Sequence, residues 1–428
     1  MKNFLVELNR HWSGEKFQAG TKRELLKAIL DIVDLDQVIA ITGIRRCGKS
    51  FLLKQIINQL LKNKIAPKNI LFINFDYPAF IGQNAEDLLD EIMDQYFKLM
   101  EPEGNLYIFF DEIQNIPKWE IWIKYQYDLH KGKYKFFLTG SNSALLSSDF
   151  SSRLSGRIIE KHLFPFSFVE FLKHYHIKTD NELALSRNRI KILRHFDNFL
   201  NYGAMPEILN IKKTNIKIDL LSSYFNTVIY KDLAIRFNIR DVLLLKEFSL
   251  YLLGHTTNIV NLKKLANYFS MSRDLAREFI KYLEMSFFLY SVKKFSFSSK
   301  KQLLSQKKSF SIDNGFCSTL PFKFSPDQGM LLENLVFIEL KRRYKEVFYI
   351  KETNECDFIV KDNQQNYLAI QVCYELNENN KKREIKGLIT ANSYFHTNIN
   401  MILTYNQNDT FFYDGIQIDT IPIWEWML

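Results

Sequence analysis

The sequence predicts an α/β protein that begins with a parallel sheet covered by helices on both faces. Short apolar runs at 38–41, 70–73, 106–110 and 136–138 have the length and composition of buried strands. Amphipathic segments with helical spacing lie between them, and strands that alternate with helices are typical of a parallel sheet. A length of 428 residues, with 46% hydrophobic and 25% charged residues, suits a globular chain. We expect about two to four domains.

The composition also excludes several classes of protein. With 15 Gly and 9 Pro, the chain is neither collagen-like nor largely disordered. Its four cysteines lie far apart and form no Cys-x-x-Cys pair, so we expect neither a disulfide framework nor a zinc site. Charged residues interrupt the first 12 positions, where a signal peptide would be apolar, and no run of about 18 apolar residues occurs. These observations predict a cytoplasmic protein without a membrane partner.

The charge balance is positive but does not by itself identify a partner. The 57 Lys and Arg exceed the 48 Asp and Glu, which gives a formal net charge of +9. Such a balance permits a polyanionic partner such as nucleic acid, and it also serves solubility alone. Both interpretations stay open at this point.

A phosphate-binding motif follows the first predicted strand. The string from Gly43 to Ser50 satisfies G-x-x-x-x-G-K-[ST]. Its glycines allow a tight turn that aims backbone N–H groups at phosphate oxygens, Lys49 supplies a cation, and Ser50 supplies a hydroxyl to Mg²⁺. The following helix directs its positive end at the same anion, which also favours thiolate at Cys47 and would make that residue redox-sensitive. The predicted nucleotide-binding residues are Gly43, Ile44, Arg45, Arg46, Cys47, Gly48, Lys49, Ser50 and Phe51.

Two carboxylates end the third predicted strand. In LYIFFDE, Asp111 stands at the strand tip and Glu112 follows it. An acidic turn is the ordinary interpretation of this string taken alone. On a later strand of the same predicted sheet, however, Asp111 can hold Mg²⁺ together with Ser50, and Glu112 can polarise the attacking water. The pair therefore favours a Mg²⁺-dependent ATPase over a passive nucleotide binder.

Further candidates follow the fourth predicted strand, which ends in TGSNS. Ser141 or Asn142 can contact the γ-phosphate there, although ordinary turn chemistry also explains the string. Downstream, Arg153 and Arg157 in SSRLSGR can stabilise charge in the transition state, also across a subunit interface of a homo-oligomer. Surface arginine is the alternative for both.

Together these strings resemble a prokaryotic branch of the AAA+ superfamily. Its members carry an N-terminal ATPase and a C-terminal region related in fold to restriction endonucleases. The matching strings are ITGIRRCGKS, LYIFFDEIQNIPKWE, LTGSNSALLS, LSGR, FPFSFVEF, NYGAMPE, YKDLAIR, SIDNG, ECDFIV and AIQVCYEL. The resemblance implies a P-loop NTPase domain over 1–162, a helical lid over 163–240, a winged helix with a basic wing over 241–309, and a small restriction-endonuclease-like α/β domain over 310–428. It also implies ATP as the nucleotide.

The predicted winged helix has a basic face. Arg273, Arg277 and Lys281 recur at i, i+4 and i+8 of its second helix, and six lysines with no acid occupy 291–309. This face can follow the phosphates of double-stranded DNA, with the lysines as a basic wing. A solvated face of a module that packs against protein is the alternative.

The C-terminal domain has an incomplete nuclease motif. A metal-dependent nuclease of the restriction type needs an acid on a helix, an acid on a strand, and a D/E-x-K pair on the next strand. Glu333 and Asp357 meet the first two needs, whereas Gln371 and Cys373 stand where the acid and the lysine belong. Glu375 lies two residues beyond Cys373 on the same strand face and is a possible substitute. We therefore predict a degenerate nuclease fold used for binding or regulation.

The sequence is consistent with three functions. The first is an ATP-hydrolysing switch that needs Mg²⁺ and acts on DNA or on a protein partner. The second is a nucleotide-gated nuclease, and the third is a nucleotide-binding scaffold with negligible turnover. The predicted catalytic residues of the first are Lys49, Glu112, Ser141, Asn142, Arg153 and Arg157.

Overall fold

The structure is a computed structural model that describes residues 1–80, 85–141, 154, 156–321 and 327–428. Two predicted site residues, Asn142 and Arg153, lie outside the described residues. The chain divides into two compact units. The first unit comprises 1–164 and 285–287, and the second comprises 165–284 and 288–428.

The first unit is built on a five-stranded parallel sheet with flanking helices, which is the P-loop NTPase arrangement predicted above. The strand order is β2-β3-β4-β1-β5. The strands are β1 Val38–Thr42, β2 Ile70–Asn74, β3 Leu106–Asp111, β4 Tyr134–Gly140 and β5 Ile158–His162. The helices are α1 Lys2–Leu8, α2 Leu25–Leu30, α3 Lys49–Lys62, α4 Ala85–Met100 and α5 Trp119–Leu129.

The central strands are buried because their side chains are apolar on both faces. Every residue of β1 is buried, and so are the first four residues of β2. Phe109 and Phe137 on neighbouring strands stack with ring centroids 4.4 Å apart. Since all five strands run in the same direction, the carboxyl ends of β1, β3 and β4 meet at one edge of the sheet. That edge carries the P-loop and the acidic pair.

The second unit contains a nine-stranded mixed sheet and most of the helices. The strand order is β13-β14-β12-β11-β10-β9-β7-β8-β6. The strands are β6 Ile259–Val260, β7 Leu289–Lys294, β8 Lys307–Ser311, β9 Val347–Lys351, β10 Glu355–Lys361, β11 Tyr367–Val372, β12 Ile399–Thr404, β13 Asp409–Tyr413 and β14 Ile416–Pro422. The helices are α6 Phe168–His174, α7 Glu182–Tyr202, α8 Thr214–Thr227, α9 Val242–Gly254, α10 Leu262–Tyr268, α11 Arg273–Met285, α12 Ser299–Leu304, α13 Asn314–Thr319, α14 Gln328–Arg343, α15 Glu378–Phe395 and α16 Ile423–Trp426, with a π-helix at Val228–Ala234.

The stretch 291–309 forms most of β7, the whole of α12 and the first part of β8. Strand β8 pairs with β7 on one side and with β6 on the other, and β7 pairs in parallel with β9. The domain boundary predicted between residues 309 and 310 therefore falls inside β8, so the structure does not divide the chain into two domains at that point. The other two boundaries, at 162/163 and 240/241, stay predictions. Lys308 is 3% exposed, so it does not belong to a basic surface.

Within the described residues, no helix is both long enough and apolar enough to span a membrane.

Candidate nucleotide site

The P-loop connects β1 to α3 through two glycines that the backbone requires. Gly43 has a φ of 152°, and a Cβ atom at this position would lie 2.2 Å from the carbonyl oxygen of Leu163. Gly48 has a φ of 102° and forms the N-cap of α3. Residues other than glycine rarely adopt such backbone conformations. The motif thus places the start of α3, whose first N–H groups have no partner within the helix itself, beyond the carboxyl end of β1.

Lys49 is buried at the centre of the site. It is 3% exposed, and its Nζ donates to the carbonyl oxygens of Gly43 at 3.1 Å and Ile44 at 3.3 Å. The same Nζ lies 3.2 Å from Glu112 Oε1. Burial works against the ammonium, but the nearby carboxylates of Glu112 and Asp111 still raise the pKa of Lys49. The cation is therefore held charged where a phosphate would bind.

Asp111 is fully buried and is bound on both carboxylate oxygens. Thr139 Oγ1 donates to Oδ1 at 2.5 Å, and Asn74 Nδ2 donates to Oδ2 at 3.1 Å. The Ser50 hydroxyl also donates to this carboxylate. Burial, together with the charge of Glu112, raises the pKa of Asp111 to about 6. Ser50 and Asp111 are thus close enough to share one cation, and oxygen donors of this kind suit Mg²⁺.

Glu112 turns back toward the P-loop because its backbone is left-handed, with φ 54° and ψ 44°. Its N–H donates to Thr139 Oγ1 at 2.9 Å, and its Oε2 accepts from Gln114 Nε2 at 2.6 Å. Burial would raise its pKa, but Lys49, Arg45 and the Gln114 hydrogen bond outweigh burial and lower the pKa of Glu112 to about 2. Glu112 is therefore an ionised carboxylate in an ion pair with Lys49.

Three residues of this site were missed by sequence reasoning. Asn74 ends β2, Thr139 is the last residue but one of β4, and Gln114 follows the acidic pair. Each is polar and lies near or beyond the end of an apolar strand, and this pattern is the sequence signal that could have identified them as site residues. Ser141, which the sequence did single out, is 1% exposed, and its Oγ accepts from Gln114 Nε2 at 3.3 Å.

At two positions, Arg157 and Cys47, the structure differs from what the sequence predicts. Arg157 precedes β5, and β5 runs parallel to β1, so Arg157 lies at the amino edge of the sheet, opposite the P-loop. There its Nε lies 3.1 Å from Asp128 Oδ1. It cannot reach a phosphate bound in its own chain, and a role across a subunit interface stays a prediction. The lowered pKa expected for Cys47 is wrong, because complete burial raises the pKa of that thiol.

The remaining P-loop residues divide into buried and exposed positions. Ile44 is 1% exposed and packs inward, whereas Arg46 is exposed and has a φ of 66°. Arg45 forms an ion pair with Asp76, with the NH1 and Oδ2 atoms 3.6 Å apart. Phe51 is 50% exposed beside Gly20. Arg46 and Phe51 are therefore the exposed positions of this string, and Arg45 is partly buried beside Asp76.

The basic face predicted on α11 is exposed to solvent. Arg273, Arg277 and Lys281 all lie on the outer side of the helix. Arg277 NH1 is 2.6 Å from Asp274 Oδ1, an i,i+3 ion pair between two exposed groups. Such a pair contributes little stability and can exchange with another anion.

A second polar cluster lies in the C-terminal half. It contains a lysine outside the D/E-x-K position at which the nuclease motif expects one. Lys308 Nζ lies 2.9 Å from Glu333 Oε1, 2.8 Å from Glu355 Oε1 and 3.5 Å from Asp357 Oδ1. Burial and Asp357 raise the pKa of Glu333 to about 8. The three carboxylates of Glu333, Glu355 and Asp357 line a cavity of about 940 Å³, together with Gln371, Cys373 and Glu375. Because β8 supplies the cation, the absence of a lysine at Cys373 does not leave the carboxylates without one.

In this cluster Gln371 forms hydrogen bonds with the backbone, and Cys373 is a buried thiol. Gln371 Oε1 accepts from the Asp357 N–H at 2.8 Å, and its Nε2 donates to the carbonyl oxygens of Glu355 and Glu384. Cys373 is buried, and burial raises the pKa of its thiol to about 12. Among the described residues, no group of three or more His, Cys, Asp or Glu side chains is arranged to hold a metal ion.

Comparisons with known proteins agree with the geometry of the first unit. The family model of an AAA domain matches residues 35–172, and a model of a domain of unknown function matches residues 193–328. The Aeropyrum pernix ORC1 protein, solved in complex with DNA, is 10% identical, with 74% of this chain and 92% of that chain covered and a TM-score of 0.32. We draw no conclusion from a likeness at that score.

Two relatives match nearly the whole chain. An uncharacterized protein of Haemophilus influenzae is 28% identical over 428 residues, which cover 95% of this chain and 98% of that protein. An uncharacterized protein of Methanocaldococcus jannaschii is 32% identical over 412 residues, which cover 92% of this chain and 88% of that protein. The chain therefore belongs to the same family as the Methanocaldococcus jannaschii protein and carries an AAA domain of the P-loop ATPase type.

Proposed function

We propose that the protein is a Mg²⁺-dependent ATPase that works as a nucleotide-driven switch. The observation that carries this proposal is the contact of Lys49 with Glu112 at the carboxyl edge of the sheet, beside Ser50 and Asp111. A phosphate-binding cation, a cation-binding pair and a candidate base thus converge on one point. ATP hydrolysis needs this combination of groups.

The chain's own residues suggest how turnover is controlled. With Lys49 beside it, Glu112 has a pKa of about 2 and is a weak base. The γ-phosphate of ATP competes for Lys49, and Glu112 then loses its counter-cation and becomes a better proton acceptor. Ser50 and Asp111 would hold Mg²⁺, which when bound offsets the charge of the phosphates. Substrate binding itself therefore activates the base.

Steady-state ATP hydrolysis by the full chain tests this proposal. Lys49→Ala is expected to lose both binding and turnover, and Glu112→Gln to bind ATP while kcat falls by about 100-fold or more, since an acid–base group contributes roughly 10²–10⁴-fold. Glu91→Gln, an exposed site on α4, is the control and should match the wild type. A wild-type chain that binds ATP without turnover, unaltered by Glu112→Gln, would identify a scaffold instead.

We propose double-stranded DNA as the partner of the switch, through the basic face of α11. The elements α9, β6, α10, α11, β7 and β8 follow one another in the order of a winged helix, which supports this placement. Three exposed cations on one face can neutralise about three phosphates, so binding should weaken as salt rises. A protein partner at the same face is the alternative.

DNA binding measured at several salt concentrations separates these alternatives. Replacing Arg273, Arg277 and Lys281 together by Ala should weaken binding and lower the slope of log K against log salt by about 2–3. Replacing Lys62, Lys131 and Lys133, three exposed lysines of the first unit, removes the same charge as a control. Equal binding by both triple variants would exclude α11 as the contact.

A second candidate function is a metal-dependent phosphodiesterase in the C-terminal half, and one observation favours it. Lys308 supplies the cation that a restriction-type nuclease needs, within 3.5 Å of Glu333, Glu355 and Asp357. In this interpretation Glu333, Glu355 and Asp357 would hold a divalent ion once the Lys308 ammonium had moved from them to the phosphate, and the ion would offset the charge of that phosphate. A water molecule would lose one proton to a carboxylate of the cluster as its oxygen bonds to phosphorus, and the phosphorus–oxygen ester bond would break with its electron pair on the ester oxygen, which takes up a proton from water.

Cleavage of supercoiled plasmid with Mg²⁺ or Mn²⁺, with and without ATP, tests the second candidate. Asp357→Ala and Lys308→Met should each abolish nicking, whereas Asp409→Ala and Lys300→Met, at exposed positions, should retain it. A wild-type chain that nicks no DNA under any of these conditions rejects the candidate. The degenerate fold predicted from Gln371 and Cys373 then stands.

A further inference from the structure

The amide of Gln114 bridges the two sides of the nucleotide site. Its Nε2 donates to Glu112 Oε2 at 2.6 Å and to Ser141 Oγ at 3.3 Å. A carboxylate accepts hydrogen bonds and donates none, so the nitrogen of the amide must face Glu112. The orientation of the Gln114 side chain is thereby determined: its nitrogen contacts Glu112, and its oxygen is left for a different hydrogen-bond donor.

That oxygen is buried and unsatisfied. Gln114 Oε1 is shielded from solvent, yet it has no hydrogen-bond partner among the described residues. A buried acceptor without a partner costs roughly 1–3 kcal/mol, and native proteins rarely leave one without a reason. A water molecule next to Glu112 would satisfy it. The hydrolysis proposed above needs a water at that place.

We propose that Gln114 is a catalytic residue that orients the attacking water, an inference that rests on the proposed ATPase activity. One water hydrogen is donated to Gln114 Oε1, and the other is transferred as a proton to the Glu112 carboxylate. The water oxygen bonds to the γ-phosphorus as the bond from that phosphorus to the β–γ bridging oxygen breaks. ADP leaves with the electron pair, and the hydrogen bonded to Gln114 stays on the product phosphate.

Ser141 has a positioning role in this arrangement. Its Oγ accepts the second hydrogen bond of Gln114 Nε2, which holds the plane of the amide. Ser141 follows β4, the strand beside β3, and Glu112 follows β3. The sequence-predicted contact of Ser141 with the phosphate and this support of Gln114 are compatible, since a hydroxyl accepts and donates at once.

The test compares kcat, KM and binding in Gln114→Leu, which keeps the bulk of the side chain and removes the amide. We expect kcat to fall by about tenfold to 100-fold, up to the loss that misplacement of a reacting group causes. KM for ATP and the Kd of a non-hydrolysable ATP analogue should stay within about twofold, because the amide acts on the water and leaves the nucleotide contacts intact. Gln59→Leu, a partly exposed site on α3 whose amide contacts Asn63, is the control.

Three outcomes would overturn the inference. An unchanged kcat in Gln114→Leu would show that the water needs no amide. A parallel loss of analogue binding and of thermal stability would show that Gln114 only supports the fold. Absence of turnover in the wild type, with analogue binding intact, would remove the proposed ATPase itself. A Glu112→Gln variant that is inactive beside a fully active Gln114→Leu separates the failure of this inference from that of the ATPase.

Discussion

His11 shows how one residue ties the stability of the first unit to pH. It lies in the 3₁₀ turn Arg10–Ser13 and is 1% exposed. Its Nε2 donates to the Ile70 carbonyl oxygen at 3.0 Å, and its Nδ1 is buried without a partner among the described residues. Burial lowers the pKa of His11 to about 4, although the bond to Ile70 works in the opposite direction. The imidazole is therefore neutral in the folded chain.

We predict that the free energy of unfolding falls as the pH drops from about 6.5 toward 4. In this range His11 binds a proton in the unfolded chain but stays neutral in the folded chain. The contribution is complete above about pH 6.5 and amounts to about 3 kcal/mol, at 1.36 kcal/mol per pKa unit. Urea unfolding at pH 5 and pH 7 measures the larger part of this loss, about 2 kcal/mol. His11→Gln keeps a donor for Ile70 and should reduce the difference between the two pH values. An equal difference in both proteins would contradict the prediction.

At the scale of elements, side chains protect the edge of the parallel sheet. Strand β2 lies at the edge, and among the described residues its backbone has no neighbouring strand on one side. Asn9 fills this place: its Nδ2 donates to the Phe72 carbonyl oxygen at 3.0 Å, and its Oδ1 accepts from the Phe72 N–H at 2.7 Å. Trp12 Nε1 donates to the Ile70 carbonyl oxygen at 2.8 Å. The segment before β1 thus covers an edge that would otherwise be open to pairing.

We predict that Asn9→Ala lowers the free energy of unfolding by about 2 kcal/mol and increases aggregation, since it leaves a buried N–H and a buried carbonyl without partners. Denaturant unfolding and light scattering measure the two effects. Asn63→Ala, at an exposed position after α3, is the control and should stay within about 0.5 kcal/mol of the wild type. Equal stability of the two variants would show that water satisfies the edge.

At the scale of the whole molecule, nucleotide binding should be visible as a change in stability. A ligand that binds only the folded state stabilises it by about 2.7 kcal/mol at 100 times its Kd. We predict that ATP with Mg²⁺ raises the unfolding temperature of the full chain, and that Lys49→Ala abolishes the rise. Lys62→Ala, at the exposed end of the same helix, should retain it. A rise that survives in Lys49→Ala would show that the nucleotide binds elsewhere.

The local parts of the nucleotide site could be predicted from the sequence. The P-loop is one contiguous string, so its chemistry and its conformation are encoded together in eight residues. The short apolar runs 38–41, 70–73, 106–110 and 136–138 predict four strands, and they lie within β1, β2, β3 and β4. Asp111 and Glu112 were recognised for a similar reason, since the end of a parallel strand in this fold faces the ligand.

Contacts between distant segments were decided only by the tertiary structure. Lys308 stands 25 positions before Glu333 and 49 before Asp357, and only the pairing of β8 within the larger sheet brings it among their carboxylates. Charge patterning assigned it to a basic surface instead. Likewise, the parallel register of β5 with β1 puts Arg157 at the edge opposite the P-loop. Spacing along the chain carries no information about such pairings.

The sequence by itself determined that this protein has a P-loop, an acidic strand end and an α/β fold. The tertiary structure decided the state of those groups: Lys49 paired with Glu112, the Cys47 thiol with a raised pKa, and Gln114 between Glu112 and Ser141. The reason is physical. Residue type and local spacing set which chemistry is available, whereas burial and the charges of neighbours set protonation and hydrogen bonding, and both depend on the packing of distant segments.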